Sequence, residues 1–132
     1  MTTRWTVTFD CTNPAVVAGF WATALGYTPR YPLGEDADDD ADGAFLVDPD
    51  GAGPALSFLR VPEGKTAKNR VHVDVQAGGG RAVPYEQRWP LAVAAAERLV
   101  AAGATVVRVD EWDGRPDHYV MLDPEGNEFC VL

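Results

Sequence analysis

The segment Ala44-Phe45-Leu46-Val47-Asp48-Pro49-Asp50-Gly51 has a counterpart 75 residues later, Tyr119-Val120-Met121-Leu122-Asp123-Pro124-Glu125-Gly126. In both, four residues suited to a strand run into a turn whose Pro presets φ and whose Gly relieves the corner. Asp-Pro-x-Gly alone is a common turn signal; its recurrence after matching strands is the informative part. A second landmark keeps nearly the same offset, since Pro14 and Pro90, each suited to the start of a helix, lie 76 apart. Two landmarks in one register predict a duplicated β-α-β-β-β unit, with module one over about residues 1–62 and module two over about 69–132.

Working outward, residues 4–11 alternate Trp5, Val7 and Phe9 with Thr6, Thr8 and Asp10, the period-two pattern of a half-buried strand. A helix follows with clear punctuation: Asn13 suits the N-cap, Pro14 the first helical position and Gly26 a left-handed end. Between them Val17, Phe20, Trp21, Ala24 and Leu25 form one apolar stripe, which predicts packing on a sheet. Strands are expected at 27–31, 44–47 and 56–61. The second half repeats the order with a strand at 70–75, a loop Gly78-Gly79-Gly80, a helix from Pro90 to Gly103, and strands at 105–110, 118–122 and 128–132. The predicted fold class is α+β: two tandem βαβββ modules, with eight strands in curved mixed sheets around a central cavity and helices on the outer face. A concave, aromatic-lined cavity is where a small molecule goes.

The chain has 132 residues, with 20 Asp plus Glu against 11 Lys plus Arg and a net charge of −9. Six of those acids, Glu35, Asp36, Asp38, Asp39, Asp40 and Asp42, fall within eight residues, and the rest of the chain carries only −3. No Lys/Arg stripe offsets the acidity, which argues against nucleic acid and anionic membrane surfaces as partners. With 46% hydrophobic residues and four Trp, the chain has the material for a core. It shows no leader pattern and no apolar run long enough to span a bilayer, so a cytoplasmic protein is expected. Cys11 and Cys130 lack zinc-site spacing and read as reduced core residues. Asp38-x-Asp40-x-Asp42-Gly43 copies the first half of a calcium loop, but the twelfth position is Pro49, where a bidentate Glu is required.

Arg70, His72 and Asp74 are two apart and share one face of the expected strand. Such a ladder supplies either a general base with its orienting carboxylate or polar anchors for a ligand; the alternative is a structural ladder at a seam. Trp5, Phe9 and Trp112 are suited to line a cavity, whereas Trp21 lies on the helix stripe and reads as core. His118 opens a strand after a loop. Cys130 as a nucleophile would need an adjacent base to lower its pKa.

The strand from Val7, Asn13-Pro14, Phe20-Trp21 and Ala24-Leu25-Gly26-Tyr27 together resemble the first module of the glyoxalase/bleomycin resistance/dioxygenase (vicinal oxygen chelate) superfamily. Asn69-Arg70-Val71-His72-Val73-Asp74-Val75 and Asp123-Pro124-Glu125-Gly126-Asn127-Glu128-Phe129-Cys130-Val131-Leu132 are similar to its actinobacterial glyoxalase-like subgroup. The resemblance implies paired βαβββ modules, often completed as a homodimer. It places the superfamily's metal-ligand positions near Val7, at Ser57 or Phe58, at Arg70 or His72, and at Cys130. Val, Phe and Arg do not ligate, so at most His72 and Cys130 remain, short of the three protein ligands of a catalytic site. No metal site and no cofactor are therefore expected, a divalent ion (Zn, Ni, Fe or Mn) entering only if the ligands lie elsewhere.

On this reading the catalytic candidates are His72 and Asp74, and the ligand-binding candidates are Trp5, Val7, Phe9, Ser57, Arg70, Trp112, His118 and Cys130. Two functions follow. One is a metal-free small-molecule binder in the manner of bleomycin-resistance proteins, using acidity at residues 36–42 and at Asp110, Glu111, Asp113 and Asp117 around Trp112. The other is a lyase, isomerase or dioxygenase-type enzyme working through His72 and Asp74 or through a divalent metal. The expected partners are a small molecule and a second copy of the chain.

Overall fold

The computed structural model describes residues 1–30 and 42–132, which divide into two compact units, Met1–Lys65 and Thr66–Leu132. Most of the acidic run, with the calcium-like pattern in it, lies outside the described residues.

In the first unit, β1 (Thr6–Cys11), α1 (Pro14–Leu25), β2 (Thr28–Pro29), β3 (Gly43–Val47) and β4 (Ala55–Arg60) follow one another along the chain. They form a sheet of order β1-β4-β3-β2, in which β1 runs parallel to β4 and the other pairs are antiparallel. The helix begins and ends where its punctuation predicts. The Asn13 side chain accepts a hydrogen bond from the Val16 amide at 3.3 Å, Pro14 takes the first position, and Gly26 closes the helix at φ 71°. Val17, Phe20 and Trp21 are buried, as are Leu46, Leu56 and Phe58 of the sheet. Phe9 joins this core: its ring stacks on Phe58 at 5.1 Å and tilts against Trp21 at 5.4 Å. Since side chains alternate along a strand, Val7 and Phe9 face α1 while Thr6, Thr8 and Asp10 face away.

The second unit repeats the order as β5 (Asp74–Val75), α2 (Tyr85–Ala101), β6 (Thr105–Trp112), β7 (Arg115–Leu122) and β8 (Glu128–Val131). Its sheet runs β5-β8-β7-β6, again with the first strand parallel to the last and the rest antiparallel. The second unit departs from the sequence expectation at its helix start and its first strand. The helix begins at Tyr85 and encloses Pro90. That proline has no N–H to give the Glu86 carbonyl, and burial of Ala92, Ala95, Ala96 and Leu99 offsets the loss. Pro14 and Pro90 are therefore not equivalent positions, and the repeat is anchored by its Asp-Pro turns instead. The strand expected over 70–75 is reduced to Asp74–Val75, although the Cys130 amide also donates to the Val73 carbonyl at 3.0 Å. The glycine-rich loop is a packing device. A Cβ at Gly78 would lie 2.8 Å from the Arg88 Cα, so only glycine lets the loop lie against α2. Among the described residues no helix is long and apolar enough to cross a membrane.

Both Asp-Pro turns are closed by their own carboxylate. Asp48 accepts hydrogen bonds from the amides of Asp50, Ala52 and Gly53 at 2.8, 2.9 and 2.7 Å, and these donors, Gly53 first, hold its pKa below the ordinary carboxylate value. Asp123 is buried and accepts from the amides of Glu125 and Asn127 at 2.9 and 3.0 Å, as well as from Asn127 Nδ2. Replacing Asp123 by Ala leaves these donors without their acceptor. We expect urea denaturation to report a loss of about 3 kcal/mol; a loss below about 0.5 kcal/mol would mean that the turn holds without its carboxylate.

Candidate functional site

Helix α2 covers one face of the second sheet. Trp89 stacks on Tyr119 at 5.4 Å, and Met121, Phe129 and Val131 are buried. Alternation then turns His118, Val120 and Leu122 of β7, and Glu128 and Cys130 of β8, to the other face. The parallel register sets Asp74 opposite Cys130. His72, two residues earlier, places Nε2 3.3 Å from Asp74 Oδ1, and both side chains are about half exposed. One ligand atom from each of His72, Asp74 and Cys130 lies within 4.8 Å of the other two. The chain entering β5 is fixed to β8 by Asn69, whose amide donates to Glu128 Oε2 at 3.0 Å and whose Nδ2 donates to the Glu128 carbonyl at 3.2 Å.

Cys130 is half-buried. Burial raises its thiol pKa, the Asp74 and Asp110 carboxylates raise it further, and Arg108 and Lys68 oppose them. The thiol is therefore protonated at neutral pH, the reverse of what a nucleophile requires. Taking Asp74 to Asn removes one raising charge and lowers the thiol pKa. Alkylation by iodoacetamide at pH 7.5 is expected to become severalfold faster; an unchanged rate would mean that Asp74 does not act on the thiol.

A second cluster reaches the same face through a β-bulge. Val106 pairs with Met121 but Arg108 pairs with Val120, so the register shifts between them and Arg108 and Asp110 are carried to the side away from α2. Arg108 Nε donates to Asp110 Oδ1 at 2.8 Å, Asp110 Oδ2 lies 3.3 Å from His118 Nε2, and His118 Nδ1 lies 2.8 Å from Asp117 Oδ2. Asp117 is buried on the helix side, where Arg81 grips it with both nitrogens at 2.5 and 2.6 Å and Arg88 approaches to 3.9 Å. The Arg81 hydrogen bonds, then the contact with His118, hold the Asp117 carboxyl far below the usual carboxylate range. Two of the four acids around Trp112 thus face cations of their own.

A carboxylate whose pKa is depressed by folding contributes stability above its unfolded pKa and loses that contribution as the pH falls towards the folded value. Asp117→Asn should accordingly destabilise the fold by about 3 kcal/mol at pH 7. The gap from the parent should narrow between pH 5 and pH 2 in urea titrations; a gap independent of pH would show that charge is not what Asp117 contributes.

The structure places the remaining sequence candidates unevenly. Val7 and Phe9, expected at the cavity, alternate to the α1 side of the sheet, where the Phe9 ring packs on Phe58 and Trp21. Thr8 and Ser57, paired across β1 and β4, hold the face away from α1. Trp5 is 66% exposed and, with Arg4, Asp48 and Pro54, lines an open groove of about 470 Å³ in the first unit. Trp112 is exposed across from Arg115 at the tip of the β6–β7 hairpin, and Arg70 is exposed ahead of β5. His118 faces Asp110 and Asp117. The sequence groups Asp110 with the acids around Trp112, but its place and that of Arg108 on this face come from the bulge, since strict alternation puts Val107 where the bulge puts Arg108.

Comparison with solved structures finds this architecture repeatedly, at identities low enough to show the fold alone. A glyoxalase/bleomycin resistance protein/dioxygenase family enzyme from Burkholderia phytofirmans matches at TM-score 0.64 and 17% identity, covering 96% of this chain and 94% of that one. A glyoxalase-related enzyme from Fulvimarina pelagi matches at 0.60 and 19%, covering 99% and 87%. A variant of the genomically encoded fosfomycin resistance protein of Listeria monocytogenes, complexed with Mn(II) and 1S,2S-dihydroxypropylphosphonic acid, matches at 0.64 and 13%, covering 99% and 91%. No curated protein matches the sequence. The family model of the glyoxalase-like domain matches residues 6–132. With nearly the whole chain matched and both βαβββ units in place, this protein belongs to the glyoxalase-like domain family.

Proposed function

We propose that the chain binds a small organic molecule on the face of the second sheet turned away from α2, with His72 and Asp74 as its principal contacts. The observation that carries this reading is the convergence of His72, Asp74 and Cys130 within 4.8 Å of one another. Asp74 contacts the ring at Nε2, which leaves Nδ1 of His72 for the ligand. A carboxylate that fixes a half-exposed imidazole is the arrangement of a general base, and equally of a polar anchor. Cys130, kept as a thiol, supplies a weak donor at the same place.

The same three residues favour a second reading, in which they hold a divalent ion. They offer a nitrogen, an oxygen and a sulfur, three protein ligands that leave a fourth position for a ligand oxygen. A thiolate suits Zn or Ni better than Mn. Donor atoms around a four-coordinate zinc sit roughly 3.3–3.8 Å apart, so the group closes by about 1 Å to fit. The ion must also displace the Cys130 proton, which makes binding stronger as the pH rises. A structural neighbour that holds Mn(II) supports the reading at the level of the fold.

One pair of measurements tests both. Screening small organic molecules against the 15N-labelled chain is expected to move amide resonances of residues 72–75, 118–120 and 128–131, with the shifts lost in His72→Ala. Shifts confined to the Trp5 groove would overturn the proposal. Metal analysis of protein purified without chelator separates the readings: a stoichiometric ion lost in His72→Ala makes it a metal site, and no ion, together with no heat on adding Zn or Ni, leaves the imidazole acting alone.

A further inference from the structure

The binding face has a second polar centre whose geometry bears on what the ligand is. Arg108 reaches this face only because of the bulge at Val107, and it is held there from behind. Its Nε donates to Asp110, the other Asp110 oxygen faces His118, and His118 faces Asp117, which Arg81 grips with both nitrogens. The described contacts of Arg108 to other side chains run through Nε alone. The terminal Nη1 and Nη2 edge remains, the planar fork that matches an oxyanion in bidentate fashion. A guanidinium fixed through Nε has already lost the freedom that a mobile surface arginine would lose on binding.

The position of the fork relates it to His72 and Asp74. Cys130 and Arg108 are the neighbours of Val120 on its two sides. They are two strand spacings apart, roughly 10 Å, with Asp74 one strand further on beside Cys130. The Asp74 carboxylate stands at one end of this row, and at the other stands the Arg108 guanidinium, paired through Nε with Asp110. Lys68, which like Arg108 opposes the rise of the Cys130 thiol pKa, lies 3.8 Å from Glu128.

Resting on the binding reading above, we infer that the molecule bound on this face carries an oxyanion, a carboxylate or a phosphoryl-type group, which docks on the Nη edge of Arg108, while its neutral or cationic polar end lies at His72 and Asp74. Arg108 is then the residue that sets the class of ligand, and Asp110 and His118 are positioning residues that aim it.

The test uses the full chain, 15N-labelled, titrated with phenylacetate, phenylphosphonate and uncharged phenylacetamide. The expected result is that at least one of the two anions moves the Arg108 side-chain Nε–H resonance and the amides of residues 108–110 and 118–120, and binds at least tenfold more tightly than the amide. Which anion does so tells carboxylate from phosphoryl recognition. In Arg108→Gln the preference for the anion should vanish, in Arg108→Lys it should fall severalfold because charge remains without the fork, and in both the spectrum should stay dispersed because Arg108 is exposed. Asp110→Asn should weaken anion binding by releasing the guanidinium. Phenylacetamide binding as tightly as the anions, with shifts at residues 72–75 and 128–131 that Arg108→Gln leaves unchanged, would overturn the anion inference and leave the binding face standing. No shift on this face with any of the three would overturn the inference and count against the binding reading as well.

Discussion

The arrangement depends on one short contact, the parallel pairing of β5 with β8. Only Asp74 and Val75 are paired in it, yet it is what brings His72 and Asp74 to Cys130, more than fifty residues along the chain. Two residues of ladder are a weak hold alone, and the flanking contacts show how it is kept. The Leu132 amide donates to the Val75 carbonyl at 3.0 Å and the Gly78 amide to the Leu132 carbonyl at 3.1 Å. On the other side, Asn69 bonds both the side chain and the carbonyl of Glu128. Loop closure over this distance is entropically expensive, so it is secured at both ends of the strand pair rather than by the strand itself.

The second sheet separates two kinds of chemistry. On the α2 side lie Met121, Phe129, Val131 and the stacked pair Trp89 and Tyr119, together with one buried acid, Asp117, that is tolerable only because Arg81 and Arg88 attend it. On the other side lie His72, Asp74, Cys130, Arg108, Asp110 and His118. Asp117 and His118 are adjacent in sequence and face opposite ways, so their hydrogen bond ties the buried ion pair to the exposed cluster. The exposed cluster is in this way anchored to the packed side.

The legible part of the fold was the part written in local chemistry. The Asn13-Pro14 start, the Gly26 end, the Val17, Phe20 and Trp21 stripe and the two Asp-Pro turns each state their own conformation, and the two-module order follows from their repetition. Pro90 misled because proline marks a helix start only as a preference, and the burial of Ala92, Ala95, Ala96 and Leu99 overrides it. In the candidate site, His72 and Asp74 were legible as a same-face pair. The alternation that identifies β1 also sets Val7 and Phe9 on the α1 side, since residues facing a helix are the apolar ones. Asp110 was legible only as one of the acids around Trp112, and the place of Arg108 was not legible: a bulge inverts the register, and nothing in Val106-Val107-Arg108 announces which residue is the extra one.

The two units share topology but not chemistry. Where the second carries Asp74 beside Cys130 on its parallel pair, the first carries Thr8 beside Ser57, hydroxyls that hydrogen-bond but neither act as a base nor hold a metal firmly. The convergence of His72, Asp74 and Cys130 therefore depends on the β5 and β8 pairing in particular. The most direct test is a cross-strand nuclear Overhauser measurement on the isotopically labelled chain. The pairing predicts strong effects between backbone protons of Val73 to Val75 and those of Cys130 to Leu132, with slow exchange of the Cys130 and Leu132 amides. Their absence, with both amides exchanging as fast as those of exposed loops, would contradict it.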